Sequence, residues 1–228
     1  MINNSQRTEI IEKLLGIGVE IPCPDGIIIE ENVKIGANST ILPNTIIIGK
    51  TEIGENCIIG PNSYIRDTII GNNTNLNNTH SFNSQIGSGV TAGPFVHIRP
   101  NCRIADNVHI GNFVEVKNSS VDEGSKLPHL LYVGDSDVGK YVNFGCGCVT
   151  VNYDGRNKSR TTVKDGAFIG CNTNLIAPVT VGENAFTAAG STITENVPDN
   201  ALAIARNKQT VKENWINIKK PYKRQHGD

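Results

Sequence analysis

An all-β parallel solenoid is the fold class this sequence predicts, and three observations predict it. An aliphatic residue recurs every six positions, glycine often follows it directly, and asparagine often stands three places after it. The longest unbroken run is Ile29, Ile35, Ile41, Ile47, Ile53, Ile59 and Ile65. A period of six matches neither the 3.6 of a helix nor the 2.0 of a long strand, but it suits very short strands separated by sharp corners. Asparagine and glycine adopt the positive φ of such corners most cheaply. Three six-residue sides close a triangular coil of roughly eighteen residues, and successive coils pair as parallel strands about 4.8 Å apart. A β-sandwich would need longer strands at less regular spacing.

The elements follow in chain order. Residues 1–24 hold a helix over Ser5 to Gly18, with Ile10, Ile11, Leu14 and Leu15 on one stripe, expected to cap the first coil. Residues 25–200 hold the repeat. After a one-residue slip the series resumes at Ile70 and Leu76, and again at Ile86, Ala92, Ile98, Ile104, Ile110 and Val116. Further slips lead to Val121, Leu127 and Val133, then Val138 and Phe144. There the hexad lapses into an inserted loop, 150–162, before returning at Val163, Ile169, Leu175, Val181, Thr187 and Ile193. Asparagines 32, 38, 44, 56, 62, 101, 107, 172, 184 and 196 are the expected corner residues. Beyond Pro198 the repeat stops, and the tail 201–228, with Trp215 and a basic stretch from Lys219 to Arg224, is expected to be irregular.

A formal net charge of -1 offers no field to recruit nucleic acid or an anionic membrane, so any anion site must be local. No apolar run approaches the roughly 20 residues that span a bilayer, and the N-terminus lacks a signal-peptide layout, so a soluble cytoplasmic protein is expected. Six cysteines, Cys23, Cys57, Cys102, Cys146, Cys148 and Cys171, are scattered through apolar repeats and read as reduced, mostly buried thiols. Cys146-Gly-Cys148 is too tight for a zinc knuckle and has no second pair.

Register turns spacing into distance. Arg99 follows Ile98, and Lys117 follows Val116 eighteen residues later with no slip between, so the two cations should stand near 5 Å apart on one face. Phosphate is the natural third party, since Arg offers a fork and Lys a point charge; two splayed, solvated side chains are the other reading. Glu115 is expected to aim differently from Lys117. The inserted loop groups Asn152, Tyr153, Asp154 and Lys158 around the turn Asp154-Gly155, one to two coils after His129 and Tyr132. The His129 imidazole is suited to act as a base near neutral pH, and backbone N–H groups near Gly145 to Gly147 or in the Asn152-Tyr153 loop could donate to an oxyanion. A zinc site is disfavoured, because His97 and His109 are twelve residues apart on different faces and no third histidine is expected in their register.

The strings GPFVHIRP (93–100), VHIGNFVEVKNS (108–119), GSKLPHLLYVGD (124–135), NFGCGCVTVNYDGRNK (143–158), FIGCNTNLIAPVTVGENA (168–185) and AGSTITENVPDNALAIAR (189–206) resemble a known family. It is the hexapeptide-repeat acyltransferases, specifically the glucosamine-1-phosphate N-acetyltransferase half of the bifunctional bacterial enzyme that makes UDP-N-acetylglucosamine. The resemblance implies a left-handed parallel β-helix, acetyl-CoA as co-substrate, no metal for acetyl transfer, and homotrimers with sites where neighbouring prisms meet. It implies that His129 is the general base, that Arg99, Lys117, Tyr132 and Lys158 hold the sugar phosphate, and that Asn143 contacts the sugar. Cys146, Asn152, Tyr153, Cys171, Ala189 and Arg206 fall on acetyl-CoA contacts, with Lys212 near the cofactor's phosphates.

Three departures stand out. The Gly-rich nucleotide loop of the uridylyltransferase half is not offered, so uridylyltransferase activity is not expected. Cys146 and Cys171 stand where the family usually has Ala and Ser, and Cys148 replaces Thr. Leu127-Pro128 precedes the base where smaller residues are usual. The alternatives are a different amino sugar or nucleotide sugar as acceptor, or a non-catalytic sugar-phosphate-binding partner of a separate uridylyltransferase.

Overall fold

Every residue of the aliphatic series points into a prism, and none is more than 5 % exposed. The structure, a computed structural model, describes residues 4–219. Parallel strands of mostly two to four residues wind through about 10 turns, each turn presenting three faces. One face forms a separate 9-stranded sheet; the other two merge into an 18-stranded sheet, because the nine-residue strands His109–Lys117 and Lys126–Gly134 run through a corner unbroken.

Each side of the prism also has a second inward position, two residues before the aliphatic one. It is often a small polar residue, such as Ser39, Thr45, Ser63 or Ser125, and it is buried. The Thr45 hydroxyl has no hydrogen-bond partner among the described residues, but others join coil to coil: Ser125 Oγ donates to the Gly139 carbonyl at 2.7 Å and accepts from the Val142 N–H at 2.9 Å. A core hydroxyl bonded on both sides escapes the penalty of an unmade hydrogen bond.

Most of the expected asparagines turn the corners with positive φ, among them Asn38, Asn62, Asn107 and Asn184; Asn32 and Asn196 do not. Tyr141 takes this conformation once, and one corner departs from the pattern on three coils running. Phe95, Phe113 and Leu130 occupy it on successive coils at φ 61, 57 and 50°.

The helix spans Asn4–Gly16 and is held by Arg7, whose Nε donates to the Ile27 carbonyl at 2.7 Å. Its apolar stripe is narrower than expected. Leu14 is buried and Ile10 partly so, whereas Leu15 is 50 % exposed, because the next residue along a helix is rotated by about 100° away from the contact. The inserted loop is also shorter than expected. Val149–Val151 is a regular strand with Thr150 buried, pairing with Asn174–Ile176, and the excursion resumes the coil at Thr161–Val163. Past the strand Leu202–Ala203 the tail is irregular until a short helix, Trp215–Lys219. The basic stretch beyond Lys219, and His226, lie outside the described residues. No helix among the described residues is long and apolar enough to cross a membrane.

Candidate functional site

Arg99 and Lys117 are neighbours on one face, as the eighteen-residue spacing requires: Ile98 pairs with Val116, and the Arg99 N–H donates to the Val116 carbonyl at 2.8 Å. Each already has a carboxylate. Arg99 Nη1 lies 2.9 Å from Glu115 Oε1, and Lys117 Nζ lies 3.3 Å from Asp135 Oδ2. This corrects the expected aim of Glu115. Residues two apart on a strand share a face, so Glu115 and Lys117 both point outward, alternating with the buried Val114 and Val116.

Asp135 organises the centre of the cluster. Its side chain is only 6 % exposed and accepts from Lys117, Asn118 Nδ2 and Asn152 Nδ2. Burial pushes its carboxyl up, but the three donors outweigh burial and hold it below the ordinary carboxylate range. Burial pulls the Lys117 ammonium down, yet Asp135 more than compensates and raises it. Asn152 Nδ2 also reaches the Tyr132 hydroxyl at 3.4 Å. The Tyr132 ring lies against Gly134, where an added Cβ would sit 2.3 Å from the hydroxyl oxygen.

The loop delivers Lys158 beside Lys117, adding a third cation. Asp154 Oδ1 accepts from the Arg156 and Asn157 N–H groups at 2.7 and 2.6 Å, shaping the turn. Arg160 fastens its far end through Asp137, with Nε–Oδ2 at 2.9 Å and Nη2–Oδ1 at 2.6 Å, and through the Asn118 carbonyl at 3.1 Å. Tyr153 is 55 % exposed, and its hydroxyl donates to the Gly155 carbonyl at 2.7 Å.

His129 stands at the prism edge beside this face. Its Nδ1 is 2.9 Å from Asn112 Oδ1, one coil earlier. A bond to an amide oxygen makes Nδ1 the donor and leaves the Nε2 lone pair to act as a base. Gly111 permits this corner, since a Cβ there would meet the Pro128 carbonyl oxygen at 1.8 Å.

From His129 a ladder of small residues climbs the same edge. Gly147 N–H donates to the His129 carbonyl at 3.4 Å, and Asn172 N–H to the Cys146 carbonyl at 2.7 Å, which puts His129, Cys146 and Cys171 on consecutive rungs. Gly190 N–H donates to the Cys171 carbonyl at 2.8 Å, so Ala189 is the next rung, and the Arg206 side chain lies 3.8 Å from a Cβ built on Gly190. Asn143 faces outward around the corner from Tyr132, on the face shared with Lys126 and Phe168. Lys212 is exposed on the irregular tail, outside any strand.

Sequence reasoning missed Asn112, Asp135 and Arg160, all visible only once the coils are stacked. It also missed that His80 shares the register of His97, with ring centroids 6.4 Å apart; His109 does lie on another face. Burial, ahead of the opposing pull of Glu115, lowers the His97 imidazole. An open depression of about 460 Å³ beside the cluster is lined by His80, Phe95, His97, Phe113, Glu115 and Tyr132.

Three stretches, 32–67, 83–118 and 160–195, match the bacterial transferase hexapeptide family model (six repeats). Those three stretches carry hexapeptide repeats. It is 56 % identical over 210 residues to the bifunctional protein GlmU of Geobacillus sp. (strain WCH70), covering 92 % of this chain and 46 % of that protein. The bifunctional protein GlmU of Caldanaerobacter subterraneus subsp. tengcongensis gives the same figures, 56 % over 210 residues with 92 % and 46 % covered. The chain thus spans about half the length of the curated relatives it matches, and it resembles their C-terminal part. A solved structure of Arabidopsis UDP-N-acetylglucosamine acyltransferase aligns with a TM-score of 0.56 at 15 % identity, over 82 % of this chain and 68 % of that one, a likeness of fold.

Proposed function

We propose that the chain transfers the acetyl group of acetyl-CoA to the amine of glucosamine 1-phosphate, giving N-acetylglucosamine 1-phosphate. The observation that carries this reading is the imidazole of His129, its Nδ1 fixed by Asn112, at the edge of a face bearing Arg99, Lys117 and Lys158. The three cations would bind the phosphate, with Tyr132 alongside and Asn143 meeting the sugar across the edge. Glu115 and Asp135 keep Arg99 and Lys117 extended and parallel until the anion arrives.

The ladder Cys146, Cys171 and Ala189 suits a thin acyl-donor arm. It runs about 14 Å from the imidazole toward Arg206, three strand spacings along an edge of small side chains, and Arg206 supplies a cation for the donor's phosphates. Asn152, one rung from Asp135, and Tyr153 beside it would add donor contacts from the loop, and Lys212 would add one from the tail. The amine attacks the thioester carbonyl, His129 Nε2 takes its proton, and coenzyme A leaves as the thiol. The Cys146 N–H, which is not used by the coil-to-coil bonds of Gly145 and Gly147, would donate to the oxyanion. The working unit is a homotrimer, each site closed by a neighbouring prism against this edge.

Thiol release from acetyl-CoA, measured over a panel of amino-sugar phosphates, tests the reading. Glucosamine 1-phosphate is expected to give the highest kcat/KM, and acetylation of a different amino sugar would replace the acceptor while keeping the chemistry. His129→Ala should lower kcat by roughly 10² to 10⁴ with little change in phosphate affinity; near-normal turnover would remove the imidazole from the mechanism.

A further inference from the structure

Cys146 and Cys171 are in-register neighbours on adjacent coils, which sets their Cα atoms about 4.8 Å apart, inside the roughly 4.4 to 6.8 Å that a disulfide spans. Both follow a glycine and precede a positive-φ residue, Gly147 or Asn172, so the two side chains leave the prism edge in the same direction. Both thiols are free, Cys171 exposed and Cys146 half-buried. Cys148, two residues from Cys146, differs in each respect: it is 2 % exposed, points into the core, donates Sγ–H to the Gly170 carbonyl at 3.0 Å, and is pushed up to about 11 by burial. It stays a thiol where its neighbours can react.

We propose that Cys146 and Cys171 form a modification site for low-molecular-weight disulfides, which oxidise the pair to a disulfide bridging two coils and obstructing the strip between His129 and Arg206. The Cys171 thiolate, the more accessible, attacks one sulfur of the reagent and releases one thiol; the Cys146 thiolate then displaces the second. Two cysteine thiols and one small disulfide become one protein disulfide and two small thiols. The chain acquires no external group and is restored by excess dithiol. The obstruction rests on the donor reading above, whereas formation of the bridge does not.

Incubating the full chain with glutathione disulfide, then mapping peptides by mass spectrometry and assaying acetyl transfer, tests both parts. The expected result is a cross-link between the Cys146 and Cys171 segments, retained in Cys148→Ala and absent in Cys171→Ala. Formation should be slowed by saturating acetyl-CoA, with turnover lowered about tenfold or more and recovered with dithiothreitol. In the double variant Cys146→Ala, Cys171→Ala, whatever its own rate, treated and untreated samples should turn over alike. No cross-link, or one through Cys148, would overturn the site; a cross-linked chain acetylating at the untreated rate would overturn the obstruction. A fully reduced chain that acetylates no amino sugar would instead count against the proposed function, while the peptide map still reads the bridge.

Discussion

Asp135 carries more of the site than any single residue of the cation set. It sits at a corner with φ 49°, nearly enclosed, and gathers Lys117, Asn118 and Asn152 onto one carboxylate. A carboxyl whose folded pKa is depressed contributes stability in full above its unfolded pKa, and loses it as the pH falls through the folded one. Lys117, raised on folding, mirrors this: its contribution is complete below its unfolded pKa and is lost as the pH climbs through the higher folded value. The pair therefore stabilises the coil across the whole span between them. Asp135→Asn is expected to destabilise by about 1–3 kcal/mol at neutral pH. That deficit should shrink on acidification through the carboxylate range. Urea midpoints for both proteins at a series of pH values check it, and a deficit independent of pH would mean that shape, not charge, is what Asp135 supplies.

The loop between Val151 and Thr161 makes a different demand, because a nine-residue excursion must hold Lys158 still without a core of its own. Arg160 meets that demand by clamping Asp137 and the Asn118 carbonyl, and Asp137 is held low in turn, chiefly by the guanidinium. Arg160→Ala should free the Lys158 end of the loop and raise the KM for the sugar phosphate several-fold, with a smaller rise for acetyl-CoA through Asn152 and Tyr153; a larger rise for acetyl-CoA than for the sugar phosphate would mean that Arg160 chiefly positions the donor. The hexad betrayed this excursion only in part. Val149 and Val151 flank an inward Thr150, and a buried threonine in a polar stretch looks like loop until its hydroxyl is seen donating to the Gly134 carbonyl at 3.1 Å. Aliphatic positions such as Ile47 or Ile104 were legible because burial selects one kind of side chain at a fixed period. The Arg99 and Lys117 pairing was legible because no slip separates them. Asp135 was not, since its bond to Lys117 crosses a slip between Val116 and Val121, and neither was the Asn112 partner of His129, which lies seventeen residues before it.

For the molecule as a whole, the edge that carries His129 is also where the solenoid tolerates its least comfortable residues. Phe95, Phe113 and Leu130 are 53, 52 and 58 % exposed, and each holds the positive φ that asparagine takes at most other corners. A bulky residue there costs roughly 1–2 kcal/mol of backbone strain and leaves apolar surface in water. The rings of Phe95 and Phe113 stack 5.2 Å apart at an interplanar angle of 6°, forming a flat apolar ridge adjacent to the Asn112 and His129 rungs. Among the described residues the stacking of the two rings offsets only part of that cost; a neighbouring prism against the ridge would cover the rest, and it would close the site at the same time. Replacing both phenylalanines by asparagine therefore separates folding from assembly. The double variant Phe95→Asn, Phe113→Asn is expected to keep its β-sheet circular dichroism and melt as a monomer no earlier than the parent monomer. It should sediment as a single chain where the parent is expected to sediment as a trimer, and lose most of the proposed acetyl transfer. A variant that stays trimeric and active would place the subunit contact on another edge, and the site with it.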